Sequence, residues 1–376
     1  MTLIAPLSLS ARDAARIAAG AAAADAAGWL SGRQQALLHR RGWLRMLAPR
    51  AAGGLEADLP SVVRLEEAVA AVDGSMAWVL TLCAGAGWFA GFLPPALARR
   101  MVHSRRLCVA GSGAPSGFAD IDEAASSIDP DHPGARFRIT GRWDYASGAP
   151  MATHFTLNAV LRRHGEVLRD AAGAPRIRAF IVPAALVEAL PSWRSIGLRA
   201  SASHSYRLDG AAVDADHGFR IDPAAASAPG PLYRFPFMAL AFVTLSVNLA
   251  GMAAHFLALA APAIGRRRQP KTGLPLIEAP GVRDRLELAR TRLAQARSHF
   301  YALLDGAWKA LAAGADLSAA DNAGLQAASL ALVEAARAAV DGIYPYCGLV
   351  AASADSDINR VWRDFHTATQ HTLLLP

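Results

Sequence analysis

Hydrophobic residues recur with two different spacings along the chain, and the spacing changes twice. From residue 8 to about 105, apolar positions recur every three or four residues with few β-branched side chains, which predicts helices. From about 106 to 225, short segments alternate apolar and polar residues between turn residues, which predicts the strands of a small barrel or of paired sheets. Helical spacing returns from about 231. The pattern therefore predicts an α+β protein that is mainly α.

The two changes of spacing divide the sequence into three predicted domains. An N-terminal helical domain is expected over residues 1–106, a central β domain over 107–225 and a C-terminal four-helix bundle over 226–376. The four helices of the bundle are predicted within 235–264, 282–313, 318–344 and 359–375. Serines are the predicted N-caps of three helices in the chain: Ser10, Ser61 and Ser318.

One helix of the predicted bundle is apolar enough to raise a second interpretation. Residues 235–265 contain no formally charged side chain and are followed directly by "RRR", as a membrane span would be. Asn248 and His255 would need partners in lipid, whereas a central helix of a helical bundle is apolar on all sides. We expect a buried helix and no membrane span, because the later helices supply amphipathic partners.

The charge and cysteine content limit the function classes. The formal net charge is +7, yet lysine occurs only at Lys271 and Lys309, and the arginines are scattered apart from "RRRQPK" at 266–271. No finger spacing or basic helix accompanies them, so nucleic-acid binding is not expected. The three cysteines are far apart in apolar surroundings, which suits a reducing compartment. The first residues do not form a secretion signal, so a cytoplasmic protein is expected.

Several familiar catalytic motifs are missing from the sequence. "GSGAPSG" at 111–117 lacks the third glycine of a dinucleotide-binding loop, and no GxSxG, P-loop or HExxH occurs. His366 and His371 are five residues apart, about 140° around a helix, so they cannot bind one metal as an i,i+4 pair. No metal site is predicted.

Four segments carry a resemblance to a known family, in the order that the family has them. They are "PRAAGGLEADLPSVVRLEEAVAAVDGSMAWVLTL", "GSGAPSGFA" with "ITGRWDYASG", "WRSIGLRASASHSYRLDGAAV" and "RVWRDFHTATQH". Together they resemble the acyl-CoA dehydrogenase superfamily, and the last segment resembles its two-component monooxygenase branch. The resemblance implies a homotetramer that binds FMN or FAD between the β domain and the bundle. It also implies a partner reductase that supplies reduced flavin, and O₂-dependent hydroxylation of an aromatic or heteroaromatic small molecule.

The resemblance implies a role for histidine near the C-terminus. His371 falls where the monooxygenase branch has its catalytic histidine, and an imidazole there could take a phenolic proton or hydrogen-bond to the reacting oxygen. A histidine that only stabilises a helix end is the alternative. His366 is assigned to the substrate pocket, with packing as its alternative. Arg363 and Asp364 are expected to anchor the last helix through a salt bridge or a cap.

The resemblance also assigns residues to the flavin and the substrate. The turn of Trp143, Ala146, Ser147 and Gly148 matches a flavin-contacting segment, and Ser112 between two glycines is expected to line the flavin. Trp88 is assigned to the substrate pocket. For each of them an ordinary turn or core role is the alternative. His204 matches a histidine of the resemblance, but Ser205 replaces the acid that follows it, so we expect His204 only to pack.

Two departures from the family affect the predicted chemistry. No glutamate stands where the dehydrogenases have their base, and the "Q-x-x-F-G" pattern that meets FAD is replaced by "IGRRRQPKTGLP". These departures disfavour dehydrogenation of a CoA thioester. We therefore predict a flavin-dependent monooxygenase, with an acyl-CoA dehydrogenase-like FAD oxidoreductase and a catalytically silent scaffold as alternatives.

Overall fold

The computed structural model describes residues 7–124 and 127–375 of the chain. Residues 1–6, 125–126 and 376, which the three predicted domains include, lie outside the described part. The helices are α1 (Ala11–Ala27), α2 (Gly32–Arg40), α3 (Leu59–Ala70), α4 (Gly74–Trp88), α5 (Pro95–Val102), α6 (Pro231–Arg234), α7 (Phe237–Arg266), α8 (Val282–Ala312), α9 (Ala319–Cys347), α10 (Leu349–Ala352) and α11 (Asp357–Ala368). The mainly α class and the order of helices, strands and helices are confirmed, whereas the domain boundaries stay predictions.

The helix starts follow from local capping. The Ser10 and Ser318 side chains accept backbone N–H groups at the starts of α1 and α9, as predicted. The cap predicted at Ser61 is wrong. Asp58 occupies the N-cap of α3 and accepts the N–H of Ser61 at 2.9 Å. Its negative charge also interacts favourably with the positive end of the helix dipole.

The strands form one mixed sheet. They are β1 (Val109–Gly111), β2 (Gly117–Ile121), β3 (Arg136–Ala146), β4 (His154–Arg163), β5 (Glu166–Val167), β6 (Ile177–Pro183), β7 (Glu188–Leu190), β8 (His204–Asp214) and β9 (Gly218–Phe219). The main order is β7-β8-β3-β2-β4-β6-β9, and β1 runs parallel to β4. The register between β3 and β8 shifts between Ile139 and Gly141, as it does at a β-bulge. The strands that were expected to form a barrel or paired sheets are joined by hydrogen bonds into one sheet.

The C-terminal helices pack around α7. This helix contacts α3, α4, α9 and α11, and α9 also packs along α8. Two segments, Gly74–Phe92 and Phe237–Arg266, are long and apolar enough to cross a membrane, but 78% of the apolar window of each is buried inside the protein. Asn248, within α7, donates to Thr81 Oγ1 at 3.0 Å, so this polar group has a partner in a neighbouring helix. Such burial is typical of core helices.

Candidate active site

Helix α4 is the element on which the two halves of the predicted site meet. It is apolar on nearly all sides because it lies between the N-terminal helices, the sheet and α7. Its N-cap is Asp73, which accepts the N–H of Met76 and the amide of Gln34 at 2.8 Å. Trp78 faces the C-terminal segment, whereas Val79 and Cys83 face the turn after β3. One rigid helix therefore sets the separation of the two regions.

His371 lies beyond the end of α11, not within a continuing helix. The helix predicted to run to residue 375 ends at Ala368, where the Thr369 hydroxyl donates to the carbonyl of His366 at 2.7 Å. His371 then caps a short 3₁₀ turn over Thr372–Leu374. Its ring meets Trp78 edge to face, with centroids 5.9 Å apart.

The hydrogen bond at Nδ1 determines which nitrogen of the His371 ring carries the proton. Nδ1 accepts the N–H of Leu373 at 3.3 Å. Burial lowers the pKa of His371 below its ordinary value of 6.5, so the imidazole is neutral at pH 7. A neutral ring that accepts at Nδ1 carries its proton on Nε2 and is a hydrogen-bond donor there. Proton uptake would have to occur at Nδ1 and would break the Leu373 contact.

His366 faces a different part of the bundle. Its ring packs against Trp362 at 4.4 Å between centroids, and Nε2 lies 3.2 Å from Asp341 Oδ1 on α9 without making a hydrogen bond. Burial lowers its pKa, while Asp341 acts in the opposite direction. The described contacts do not bring His366 to His371 or Trp78, so its place in the substrate pocket stays a prediction.

Trp88 sits at the opposite end of α4 from Trp78. Ten residues of helix separate the two indoles by about 15 Å along the axis. Trp88 is 1% exposed, donates from Nε1 to the carbonyl of Leu232 at 3.0 Å and packs among Phe92, Tyr233 and other aromatic rings. The structure thus puts Trp78, not Trp88, beside His371.

The turn after β3 is held from behind by α4 and by the segment before β8. Gly148 has φ +75°, and its N–H donates to the carbonyl of Ser201 at 2.8 Å. The Ser147 hydroxyl is 2.8 Å from that of Ser203, and the Cys83 thiol donates to the Ser147 carbonyl at 3.4 Å. Cys83 and Cys108 lie with their sulfurs 3.7 Å apart, and the Cys83 contact raises the pKa of Cys108.

The other predicted flavin residues differ in exposure. Trp143 is fully buried in the core of the sheet, stacks on Tyr206 and donates from Nε1 to the Asn158 carbonyl at 2.9 Å. Ala146 is also fully buried. Ser112 is half-buried in the loop after β1, and its N–H donates to the Thr156 carbonyl at 3.2 Å. Ser112 is therefore the most accessible member of the predicted set.

A narrow crevice lies beside Gly148 and limits the size of a molecule that could bind there. Its volume is about 10 Å³, room for one water molecule. The lining residues come from the α1–α2 turn, α2, α4, the β3–β4 turn and the segment before β8: Trp29, Leu30, Gln35, Val79, Gly148, Pro150, Met151, Ala200, Ser201 and Ala202. The crevice itself is too narrow for a flavin ring, and the contact between this turn and a flavin that the resemblance implies stays a prediction. Across residues 7–124 and 127–375, no three His, Cys, Asp or Glu side chains form a metal site.

Sequence reasoning missed Trp78 and did not find the partner of Asp364. Trp78 belongs to "DGSMAW", a segment already noted for its resemblance, but no pattern within one helix reveals a partner at the other end of the chain. Asp364 was expected to anchor α11 through a salt bridge or a cap. It instead accepts the backbone N–H of Leu198 at 2.5 Å, while Arg363 makes the salt bridge, to Asp25 at 2.9 Å.

Comparison with known proteins gives consistent results. Residues 243–376 match the family described as acyl-CoA dehydrogenase, C-terminal domain. The chain is 25% identical to an indole-3-acetate monooxygenase of Pseudomonas putida, over 89% of this chain and 81% of that protein. It is 23% identical to the oxygenase subunit HsaA, a flavin-dependent monooxygenase of Mycobacterium tuberculosis, over 88% and 82% of the two chains. XiaF from a Streptomyces species, solved with FADH2 and glycerol, superposes with a TM-score of 0.85 and 19% identity over 96% of this chain and 89% of that one.

Proposed function

We propose that the chain is a member of the acyl-CoA dehydrogenase superfamily and the oxygenase component of a two-component, flavin-dependent monooxygenase. Its substrate would be an aromatic or heteroaromatic small molecule. The observation that carries the proposal is the similarity, over almost the whole length of both proteins, to relatives named as monooxygenases of indole-3-acetate and as HsaA. These relatives favour a monooxygenase over a dehydrogenase.

The cofactor of the proposed reaction is reduced FMN or reduced FAD from a partner reductase. The name "oxygenase subunit" of HsaA supports a separate reductase, and the XiaF complex with FADH2 supports a reduced flavin. When bound, the flavin would supply the two electrons that reduce O₂, one oxygen atom of which enters the substrate while the other leaves as water. We further propose a homotetramer in the cytoplasm. The three free, buried cysteines agree with a reducing compartment.

His371 and Trp78 would contribute binding and orientation. A neutral His371 with its proton on Nε2 would donate a hydrogen bond to the oxygen of a phenol or to another substrate acceptor. Trp78 packs against the imidazole and withdraws it from water, which keeps it neutral. This arrangement favours a hydrogen-bond donor over the general base that the resemblance alone suggested.

The proposal is tested with purified protein, a general NADH-dependent flavin reductase, catalase and a panel of phenols and indoles. We expect products that contain one ¹⁸O atom from ¹⁸O₂, formed only when FMN or FAD is being reduced; comparing the two flavins identifies the cofactor. A protein that purifies with tightly bound flavin, is reduced by acyl-CoA and incorporates no ¹⁸O would instead be a dehydrogenase.

A further inference from the structure

Asp364 connects the last helix to one wall of the crevice beside Gly148. The carboxyl group is 2% exposed, and Oδ1 accepts the N–H of Leu198 at 2.5 Å. Leu198 has φ +50°, a left-handed conformation that is costly for leucine. Because few residues adopt this conformation unaided, the buried hydrogen bond that the Leu198 N–H donates to Asp364 holds the backbone there.

Two further contacts fix the same segment to α11. The guanidinium of Arg363 donates to the carbonyl of Ile196 and also bridges to Asp25. A side chain at Gly197 would place its Cβ 2.0 Å from the carbonyl oxygen of Arg363. Only glycine permits this approach of the two backbones, so Ile196, Gly197 and Leu198 are each held against α11.

The segment that follows Leu198 holds the turn after β3. Its residues Ala200, Ser201 and Ala202 line the crevice opposite Gly148. The Ser201 hydroxyl is 2.7 Å from that of Ser203, which reaches Ser147 at 2.8 Å. A continuous set of contacts thus runs from Asp364 to the Ser147–Gly148 turn.

The same helix positions His371. Asp364 lies one turn before the C-terminus of α11, and His371 follows that terminus by three residues. A change in the position of α11 would therefore move His371 and the crevice wall together. Asp364 also packs at the start of α4, where its Cβ is 3.1 Å from the position that a Cβ at Gly74 would take.

We propose that Asp364 is a positioning residue of the monooxygenase reaction. Through Leu198, Ser201 and Ser203 it sets the position of the Ser147–Gly148 turn relative to His371. This inference rests on the proposed function, because Asp364 would control the fraction of reduced flavin whose oxidation yields product. When the turn and His371 are misaligned, oxygen is reduced to H₂O₂ and the substrate is released unchanged.

The test compares Asp364→Ala with Asp364→Asn, and uses Asp355→Ala as the matched control. Asparagine retains the oxygen that accepts the Leu198 N–H, whereas alanine removes it; Asp355 is an exposed aspartate close to the start of α11. In Asp364→Ala we expect amide hydrogen exchange over 196–203 and 146–149 to rise about tenfold, the change for a loss of about 1.4 kcal/mol. We also expect product per reduced flavin consumed to fall at least fivefold, with more H₂O₂. Asp364→Asn and Asp355→Ala should stay within twofold of wild type.

Ser203→Ala provides an independent variant that leaves α11 intact. It should speed exchange over 146–149 and lower the product yield, while 196–198 stays as in wild type. The proposal would be overturned if exchange over 146–149 in folded Asp364→Ala were the same as in wild type. If Asp364→Ala does not fold, the same result in Ser203→Ala would overturn it. So would a wild-type product yield despite faster exchange. If the wild-type protein makes no product at all, the proposed function fails, and the exchange measurement alone then decides whether Asp364 controls the turn.

Discussion

The imidazole of His371 meets the indole of Trp78 edge to face, with ring planes 66° apart and centroids separated by 5.9 Å. This contact joins the C-terminal segment to a helix of the N-terminal half. It has two consequences: it anchors the 3₁₀ turn that follows α11, and it removes part of the imidazole from water. The predictions for catalysis follow from that arrangement.

Two substitutions of His371 distinguish a role as hydrogen-bond donor from a role as general base. His371→Ala should lower the rate of product formation by a factor of about 10² to 10³, the usual cost of removing a positioned donor. His371→Gln should retain at least tenfold more activity than alanine, because its amide N–H₂ can donate. Rates are measured at saturating substrate with reduced flavin held constant.

The binding of reduced flavin serves as the control for both variants. Dissociation constants measured without oxygen should agree with the wild-type value within about threefold, since no contact between His371 and a flavin is assigned. If glutamine is as inactive as alanine, His371 acts as a proton acceptor and the donor role is wrong. If alanine is fully active, His371 has no part in the reaction.

The pH dependence of product formation follows from the lowered pKa of His371. Burial disfavours the imidazolium, so the ring is neutral at every pH above its ordinary value of 6.5 and for some distance below it. Activity should therefore be constant between pH 7 and 8 as far as His371 is concerned, and the acid limb should lie below pH 6.5, the ordinary pKa of histidine. An acid limb centred above pH 7 would contradict the burial of this ring.

Trp78→Leu should move that acid limb upward. Loss of the indole admits water to the imidazole, so its pKa returns toward 6.5. Trp88→Phe is the matched control, because it alters a tryptophan of the same helix that makes no described contact with His371. It should lower stability through the lost Leu232 hydrogen bond and leave the pH profile unchanged. Equal shifts in both variants would place the cause in the packing of α4 as a whole.

Gly148→Ala tests the crowding of the turn against α4. An added Cβ would lie 2.9 Å from Cys83 Sγ and adopt φ +75°, so we expect unfolding free energy to drop by about 2–3 kcal/mol. Gly165→Ala isolates the backbone cost, since Gly165 has φ +79° and open space around it; it should lose only about 1 kcal/mol. In a Cys83→Ala background the effect of Gly148→Ala should shrink, as a urea-unfolding double-mutant cycle measures. Equal losses at Gly148 and Gly165 would rule out crowding.

The sequence predicts the regular elements well and the site poorly, for physical reasons. Strand β8 was predictable from the alternation of its own residues, and the core helix α7 from its long apolar run. The position of His371 was not, because the end of α11 depends on a side-chain bond from Thr369. Nor was the pairing of Asp364 with Leu198, since both its partner and its burial are set by the approach of distant segments. The family resemblance assigned a role to His371, which stays a prediction, but could not tell which tryptophan lies beside it.

Stability should depend on pH through Asp364. Burial first, and then the nearby Asp73 and Asp25, raise its pKa to about 8, although the Leu198 N–H and Arg360 oppose the shift. The folded state therefore favours the protonated acid, whereas the unfolded chain ionises near 3.8. A raised pKa contributes stability that is complete below pH 3.8 and is lost progressively as pH rises to about 8, with a slope of at most about 1.4 kcal/mol per pH unit.

Asp364→Asn removes this titration and keeps the acceptor for Leu198. The variant should thus become more stable relative to wild type as pH rises from 5 to 8, and the difference should level off above pH 8. Urea unfolding at pH 5, 6.5, 8 and 9 measures it, with the exposed Asp355→Asn as the control for loss of one carboxylate. Asp73 is also buried with a raised pKa, so the wild-type curve contains its titration too; only the difference between wild type and Asp364→Asn isolates Asp364. A difference that does not change with pH would mean that Asp364 is ionised in the folded protein, with Arg360 as its counter-ion.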